Sequence, residues 1–188
     1  MISAREMKVQ ELIDEYKYTF IHPFDDYSVI AGQGSIACEL ESQLQEPLDK
    51  LLIPVGGGGL ISGISFFAKK NGGVASTIIG AEPEAARDAT DSFYSKTHVT
   101  DYKPMTIADG LRATLGVKNF EIILQNVDEF ITATESEIIQ AMKIIWSRLK
   151  VIVEPSAAVP LAVILNKPEY FKNERVGVIL SGGNLDLE

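Results

Sequence analysis

Cysteine is nearly absent: Cys38 is the only one in 188 residues. That excludes an internal disulfide framework and a cysteine-based zinc site. Histidine is scarce too, and neither His22 nor His98 has a Ser or Cys companion at a spacing that would suggest a hydrolase triad. No apolar run reaches the ~18 residues that a bilayer-spanning helix needs, and residues 1–10 are too polar for a signal peptide. Positive charge is the minority sign: 17 Lys and Arg stand against 26 Asp and Glu, for a net charge of −9 and a pI near 4.8. So acidic a surface repels phosphate backbones and anionic lipid, so neither nucleic acid nor a membrane is an expected partner. Apolar residues are plentiful, at 46% against 23% charged, which is enough for a core and unlike a disordered chain. The expectation is a soluble, cytoplasmic α/β protein.

Hydrophobic patterning sets out the elements. Residues 3–16 carry Met7, Leu12, Ile13 and Tyr16 at roughly helical spacing, and residues 18–21 read as a short strand stopped by His22-Pro23-Phe24-Asp25-Asp26. A helix is expected over 36–44, a buried strand over 51–55 and a helix over 60–70 closed by Asn71-Gly72-Gly73. A second buried strand spans 77–81, with Pro83 where a further helix would begin. Thr134 with Glu137 three residues on is a capping box for a helix to about 149. Short β-branched residues 151–153, a helix over 155–165 and a final strand over 175–180 complete the pattern. Within the late helices Trp146, Met142, Ile145 and Leu149 read as core, and Cys38 as a buried thiol. Continuous apolar strands alternating with helices argue for a three-layer α/β/α protein with a mainly parallel sheet. Residues 92–118 are weakly patterned and read as a mobile or site-lining loop.

Four consecutive glycines, Gly56, Gly57, Gly58 and Gly59, lie between an apolar strand and an amphipathic helix. In a doubly wound sheet that is where an anion binds, on helix N-terminal N–H groups. Glycine admits positive φ and lets the backbone close on a phosphate. Both familiar nucleotide signatures fail here: a G-x-G-x-x-G frame from Gly56 ends on Ile61, and no G-K-[ST] follows. A second loop, Ser181-Gly182-Gly183-Asn184, ends the last strand in the equivalent position. Together they suggest one ligand held at its phosphate by one loop and at another edge by the other.

The chain resembles the fold-type II pyridoxal-phosphate enzymes of the threonine dehydratase and serine racemase group. The resemblance rests on His22-Pro23-Phe24-Asp25-Asp26 with Val29-Ile30-Ala31-Gly32-Gln33-Gly34-Ser35, and on Pro54-Val55-Gly56-Gly57-Gly58-Gly59-Leu60. It continues through Thr106-Ile107-Ala108-Asp109-Gly110, Val153-Glu154-Pro155-Ser156-Ala157 and Leu180-Ser181-Gly182-Gly183-Asn184, all in the family's order. It implies pyridoxal 5′-phosphate as cofactor, with Gly56, Gly57, Gly58, Gly59 and Leu60 at its phosphate. It implies Ser181 at the pyridine nitrogen, and Gly110 and Glu154 close by. A hydroxyl does not hold the ring protonated as a carboxylate does, which suits β-elimination from a hydroxy amino acid. The same likeness implies a divalent cation (Mg²⁺, Mn²⁺ or Ca²⁺) on Glu82, the Ala86 carbonyl and Asp88, hard oxygens such ions prefer. From the residues alone, acids near a helix start are as readily explained by the helix dipole. A small hydroxy amino acid is the implied substrate, and a homodimer the implied state of the full-length enzyme.

One departure bears on activity. Relatives in this group attach the cofactor through a lysine in a Ser-x-Lys-x-Arg-Gly type motif, and none of the twelve lysines here lies in one. The asparagine-containing loop that grips the substrate carboxylate is missing as well. On this resemblance the chain looks like the C-terminal part of such an enzyme, with residues 1–30 a remnant of the small domain and 31–188 the large, cofactor-binding domain. Three explanations stand: a fragment of a full racemase or dehydratase, one chain of a split enzyme, or a non-catalytic paralogue that binds an anion or a partner.

Overall fold

The computed structural model describes residues 4–71 and 73–186. Ser3, expected to open the first helix, and Gly72, expected to help close the helix after the glycine loop, lie outside them. Strands β1 (Leu48–Pro54), β2 (Ala75–Pro83), β3 (Glu129–Ala133) and β4 (Val176–Val178) form one sheet in the order β3-β2-β1-β4. Every pairing is parallel, with Leu51 opposite both Ile78 and Gly177 and Ala81 opposite Ile131. The helices are α1 (Ala4–Tyr16), α2 (Tyr27–Gln33), α3 (Ser35–Gln43), α4 (Gly59–Asn71), α5 (Asp88–Ser95), α6 (Val117–Asn126), α7 (Glu135–Ile144) and α8 (Pro155–Asn166).

The strands are apolar on both faces because both faces are covered. Leu52, Ile79, Ala81, Ile131 and Ala133 turn one way, onto Ile138, Ala141, Ala158 and Ala162 of α7 and α8. Their neighbours Leu51, Ile53, Ile78 and Phe130 turn the other way, onto Ala37, Ile61, Ile64 and Ile123 of α3, α4 and α6. Successive strand residues point to opposite faces, so an unbroken apolar run is what a sheet between two helical layers requires. Burying each Leu or Ile stabilises the fold by about 1.5–3 kcal/mol relative to exposure. The three-layer α/β/α architecture expected from the sequence is the one the protein has.

Local signals fall where expected at several ends. Thr134 Oγ1 accepts from the Glu137 N–H at 3.4 Å while Glu137 Oε2 accepts from the Thr134 N–H at 2.8 Å, closing the capping box of α7. Asp26 ends the His-Pro-Phe-Asp-Asp run by accepting from the Ser28 and Val29 N–H groups at the start of α2. Past α7 the helix widens into a π-helical turn, Ile145–Leu149, ended by Lys150 at φ 59°.

Other expectations are corrected. Residues 18–21 form no strand: Tyr18, Phe20 and Ile21 are all more than half exposed, and no strand among the described residues pairs with them. Residues 151–153 are also irregular, with Val153 buried and Val151 and Ile152 exposed. Alternation alone does not make a strand without a ladder partner. Cys38 is exposed, because Ala37, Ile36 and Leu40 take the core-facing stripe of α3. Leu149 is 60% exposed, since the π-helical turn shifts it off the face that buries Met142 and Ile145. Helices α2 and α6 and strand β3 have no counterpart in the sequence reading. The stretch 92–118 contains the end of α5, a 3-10 turn at Asp109–Leu111 and the start of α6.

Candidate functional site

β1 hands the chain to α4 through the four glycines, at the carboxyl end of a strand that has a neighbour on each side. Gly58 sits at φ +89°, a left-handed conformation that side-chain-bearing residues avoid. A Cβ on Gly56 would lie 2.9 Å from Leu111 Cα, so the 110–111 backbone approaches the loop as closely as glycine permits. The N–H groups of Gly57, Gly58, Gly59 and Leu60 have no acceptor among the described residues. A run of open N–H groups at the N-terminus of the 13-residue helix α4 is a concave anion cradle.

The cradle opens into a cavity of about 220 Å³ lined by Phe24, residues 56–60, Gly110, Leu111, Ala113, Glu154, Ser156 and Ser181. The sequence-expected residues Gly56, Gly57, Gly58, Gly59, Leu60, Gly110, Glu154 and Ser181 therefore meet around one space. Ser181 is exposed and faces it without a partner among the described residues. Glu154 acts on that loop rather than standing free: its Oε2 accepts from the Asn184 N–H at 3.0 Å, and its own N–H donates to the Gly182 carbonyl at 3.1 Å. A wider cavity of about 540 Å³ shares Phe24, Gly59, Leu60 and Ser181 with the first and continues to Gln33 and Ile36. Among the described residues no lysine lines either space.

Three residues at the loop had no role in the sequence reading. The Phe24 ring lies against the loop, 2.4 Å from where a Gly57 Cβ would be. Ser156, 1% exposed, accepts from the Gly110 N–H at 3.1 Å through Oγ and so holds the 109–111 turn over the cavity. Asn119 bonds to the loop from beneath. Ser156 and Phe24 stand inside the quoted motifs, which was the available signal; Asn119 stands in none.

Glu82 lies near the carboxyl end of the neighbouring strand β2, and Ala86 and Asp88 follow in the turn into α5, all three buried. Glu82 Oε2 accepts from the Thr90 N–H at 2.7 Å and the Thr90 hydroxyl at 2.6 Å, and Oε1 from the Ala89 N–H at 3.2 Å. Asp88 Oδ2 accepts from the Leu115 N–H at 2.8 Å. Burial, with the Asp88 charge adding to it, pushes the Glu82 carboxyl up to about 8, and burial raises Asp88 as well. Because Thr90 spends its N–H on Glu82, the buried Ala86 carbonyl has no donor among the described residues. No group of three or more His, Cys, Asp or Glu side chains gathers for a metal among the described residues. Two buried carboxyls and a donorless carbonyl are oxygen donors of the kind a hard divalent cation prefers. His98 Nε2 meets the Leu115 carbonyl at 2.7 Å, and the ring bonds to no carboxylate among the described residues.

A strand-end glycine cradle with a hydroxyl loop opposite has the form of an anion site in an α/β protein. The chain belongs to the family described as pyridoxal-phosphate dependent enzyme, which matches residues 2–182. It is 46% identical over 192 residues to a serine racemase of Dictyostelium discoideum and 44% identical over 190 residues to a β-hydroxyaspartate dehydratase of Paracoccus denitrificans. Both alignments cover 99% of this chain but only 58% of the relative. The structure of maize serine racemase superposes with a TM-score of 0.92 at 37% identity, covering 100% of this chain and 59% of that one. The chain thus spans somewhat more than half the length of the relatives it matches. A glycine cradle that a Cβ would fill fits the phosphate of the cofactor the family implies. No helix among the described residues is long and apolar enough to cross a membrane.

Proposed function

We propose that this chain is the cofactor-cradling part of a pyridoxal-phosphate enzyme that dehydrates or racemises a small hydroxy amino acid, serine or threonine. The observation that carries the reading is the open N–H run of residues 57–60 facing Ser181 across one cavity. The glycine loop and the N-terminus of α4 would hold the phosphate, and the Ser181 hydroxyl the pyridine nitrogen. Gly110 would pass beside the ring, and Glu154 would keep the 181–184 loop in place. When bound, the cofactor supplies an electron-withdrawing ring that acidifies the α-proton of the amino acid joined to it. Removing that proton needs a base, and a lysine is the group that both attaches the cofactor and serves as base. The chain's own cavity offers none, so the chain by itself is inactive. Purified chain mixed with pyridoxal phosphate and L-serine should yield neither pyruvate nor D-serine above background; either product would overturn this. Adding a separate polypeptide that bears the Ser-x-Lys-x-Arg-Gly segment should restore turnover if the chain is one partner of a split enzyme.

The same reading makes Glu82, Ala86 and Asp88 a site for Mg²⁺, Mn²⁺ or Ca²⁺, supported by the donorless Ala86 carbonyl between two buried acids. A cation there would favour the charged form of the Glu82 carboxyl and tie the start of α5 to the end of β2. It also assigns residues 1–30 to a smaller domain and 31–188 to the large one, although α2 runs across that division. A homodimeric, cytoplasmic full-length enzyme completes the proposal.

A further inference from the structure

Asn119 lies in the first turn of α6, fully buried, yet its side chain serves other segments. Its Nδ2 donates to the Gly57 carbonyl at 2.8 Å and to the Phe24 carbonyl at 2.9 Å. Two carbonyls can only accept, so the amide orientation is dictated by its partners. The Gly116 N–H donates to the same Gly57 carbonyl at 3.1 Å. One carbonyl of the glycine loop thus receives two donors from the start of α6. Beside it, Asp25 accepts from the Val117 and Lys118 N–H groups, so the 24–25 backbone is held at the same turn.

This clamp has a consequence for the opposite side of the peptide. All peptide bonds among the described residues are trans, and a trans peptide points its C=O and N–H in opposite directions. Fixing the Gly57 carbonyl against α6 therefore turns the Gly58 N–H away from α6. The loop lines the 220 Å³ cavity and α6 does not. Gly58 meanwhile holds φ +89°, a conformation readily open to glycine and disfavoured for a side-chain-bearing residue. Its Oδ1 is buried without a partner, so the side chain is held through its two Nδ2 donors alone.

We propose that Asn119 is a positioning residue for the anion cradle: by clamping the Gly57 carbonyl it presents the Gly58 N–H to the phosphate. The inference rests on the anion-binding reading of the loop. The test uses the chain itself with inorganic phosphate and with pyridoxine 5′-phosphate, which lacks the aldehyde and needs no lysine. Binding by titration calorimetry to the native chain is compared with Asn119→Asp, which keeps the size but loses both donors. The expected result is a loss of about tenfold or more in affinity for both probes. Equal affinity in a folded Asn119→Asp, with only its melting temperature lowered, would mean a merely structural residue and overturn the proposal. If the variant does not fold, amide NMR of the native chain decides: phosphate should shift the Gly58 resonance at least as far as those of Gly57 and Gly59. A Gly58 amide that stays put while its neighbours move overturns the clamp alone. If no loop amide moves, the anion reading falls and this inference with it.

Discussion

Two neighbouring parallel strands end in turns of opposite polarity. The exit of β1 is built of bare backbone, with the first N–H groups of α4 left open toward a cavity. The exit of β2 has the same place in the sheet, but Glu82 has already turned back to accept the Ala89 and Thr90 N–H groups of α5. One helix start leaves its N–H groups open; the other spends them on its own chain's carboxyl. What the second turn leaves over is oxygen without donors to spare: two buried acids and a donorless carbonyl. The two strand exits share a place in the sheet, and a single side chain, Glu82, makes the difference between them.

The comparison breaks most visibly at Gly58. Gly58→Val should destabilise the protein by about 3 kcal/mol through left-handed strain and overpacking, since its Cβ would lie 2.6 Å from Leu115 Cδ1 and 2.9 Å from Asn119 Cβ. Thermal melting should fall by roughly 10 °C for a chain of this size, and phosphate binding should vanish. The next largest effect belongs to the β2 turn and depends on pH. A carboxyl raised from 4.5 to about 8 on folding is most stabilising when protonated. Stability from Glu82 is thus full below pH 4.5 and is lost as pH rises through about 8, at about 1.4 kcal/mol per unit. Melting curves with Mg²⁺ and with chelator should therefore separate more at pH 8 than at pH 6, and Glu82→Gln should remove both the pH slope and the separation. Identical curves at both pH values would end the cation reading.

Away from both turns, Thr134→Ala should cost about 1 kcal/mol by opening the capping box of α7. Phosphate affinity should not change, which makes it a control for general loosening. The smallest effect on stability is expected at exposed Ser181: Ser181→Ala should move the melting temperature by no more than about 1–2 °C. It should nevertheless weaken pyridoxine 5′-phosphate several-fold while leaving inorganic phosphate untouched, because only the ring meets the hydroxyl. Equal losses for both probes would move Ser181 to the phosphate end.

Much of this site was legible in the chain. Gly56 to Gly59 and Ser181 to Asn184 are short local patterns, each at the end of an apolar run, and both fall on the cavity. β1, β2, α4, α7 and α8 were legible for the same reason: their periodicity is complete within a few turns or strand residues. Residues 18–21 and 151–153 misled because a short run of aromatic or β-branched residues looks the same whether or not a neighbouring strand exists to receive it. Cys38 and Leu149 misled because one residue of rotation, or one wider turn, moves a side chain across a helix face. β3 and α6 went unread, although Phe130 and Ile123 are core residues, because β3 is only five residues long and no capping side chain marks the start of α6.

The sequence by itself determined the parallel sheet, the glycine loop and the hydroxyl loop, since each follows from local chain stereochemistry and apolar continuity. Tertiary structure alone decided what surrounds them. Asn119 reaches Gly57 across 62 residues of chain, Asp25 caps α6 across more than ninety, and Ser156 holds Gly110 across 46. The Glu82 carboxyl departs from its ordinary range only because packing removes water from it. Contacts between segments so distant and the desolvation of a buried acid are properties of the assembled interior, which no local pattern encodes.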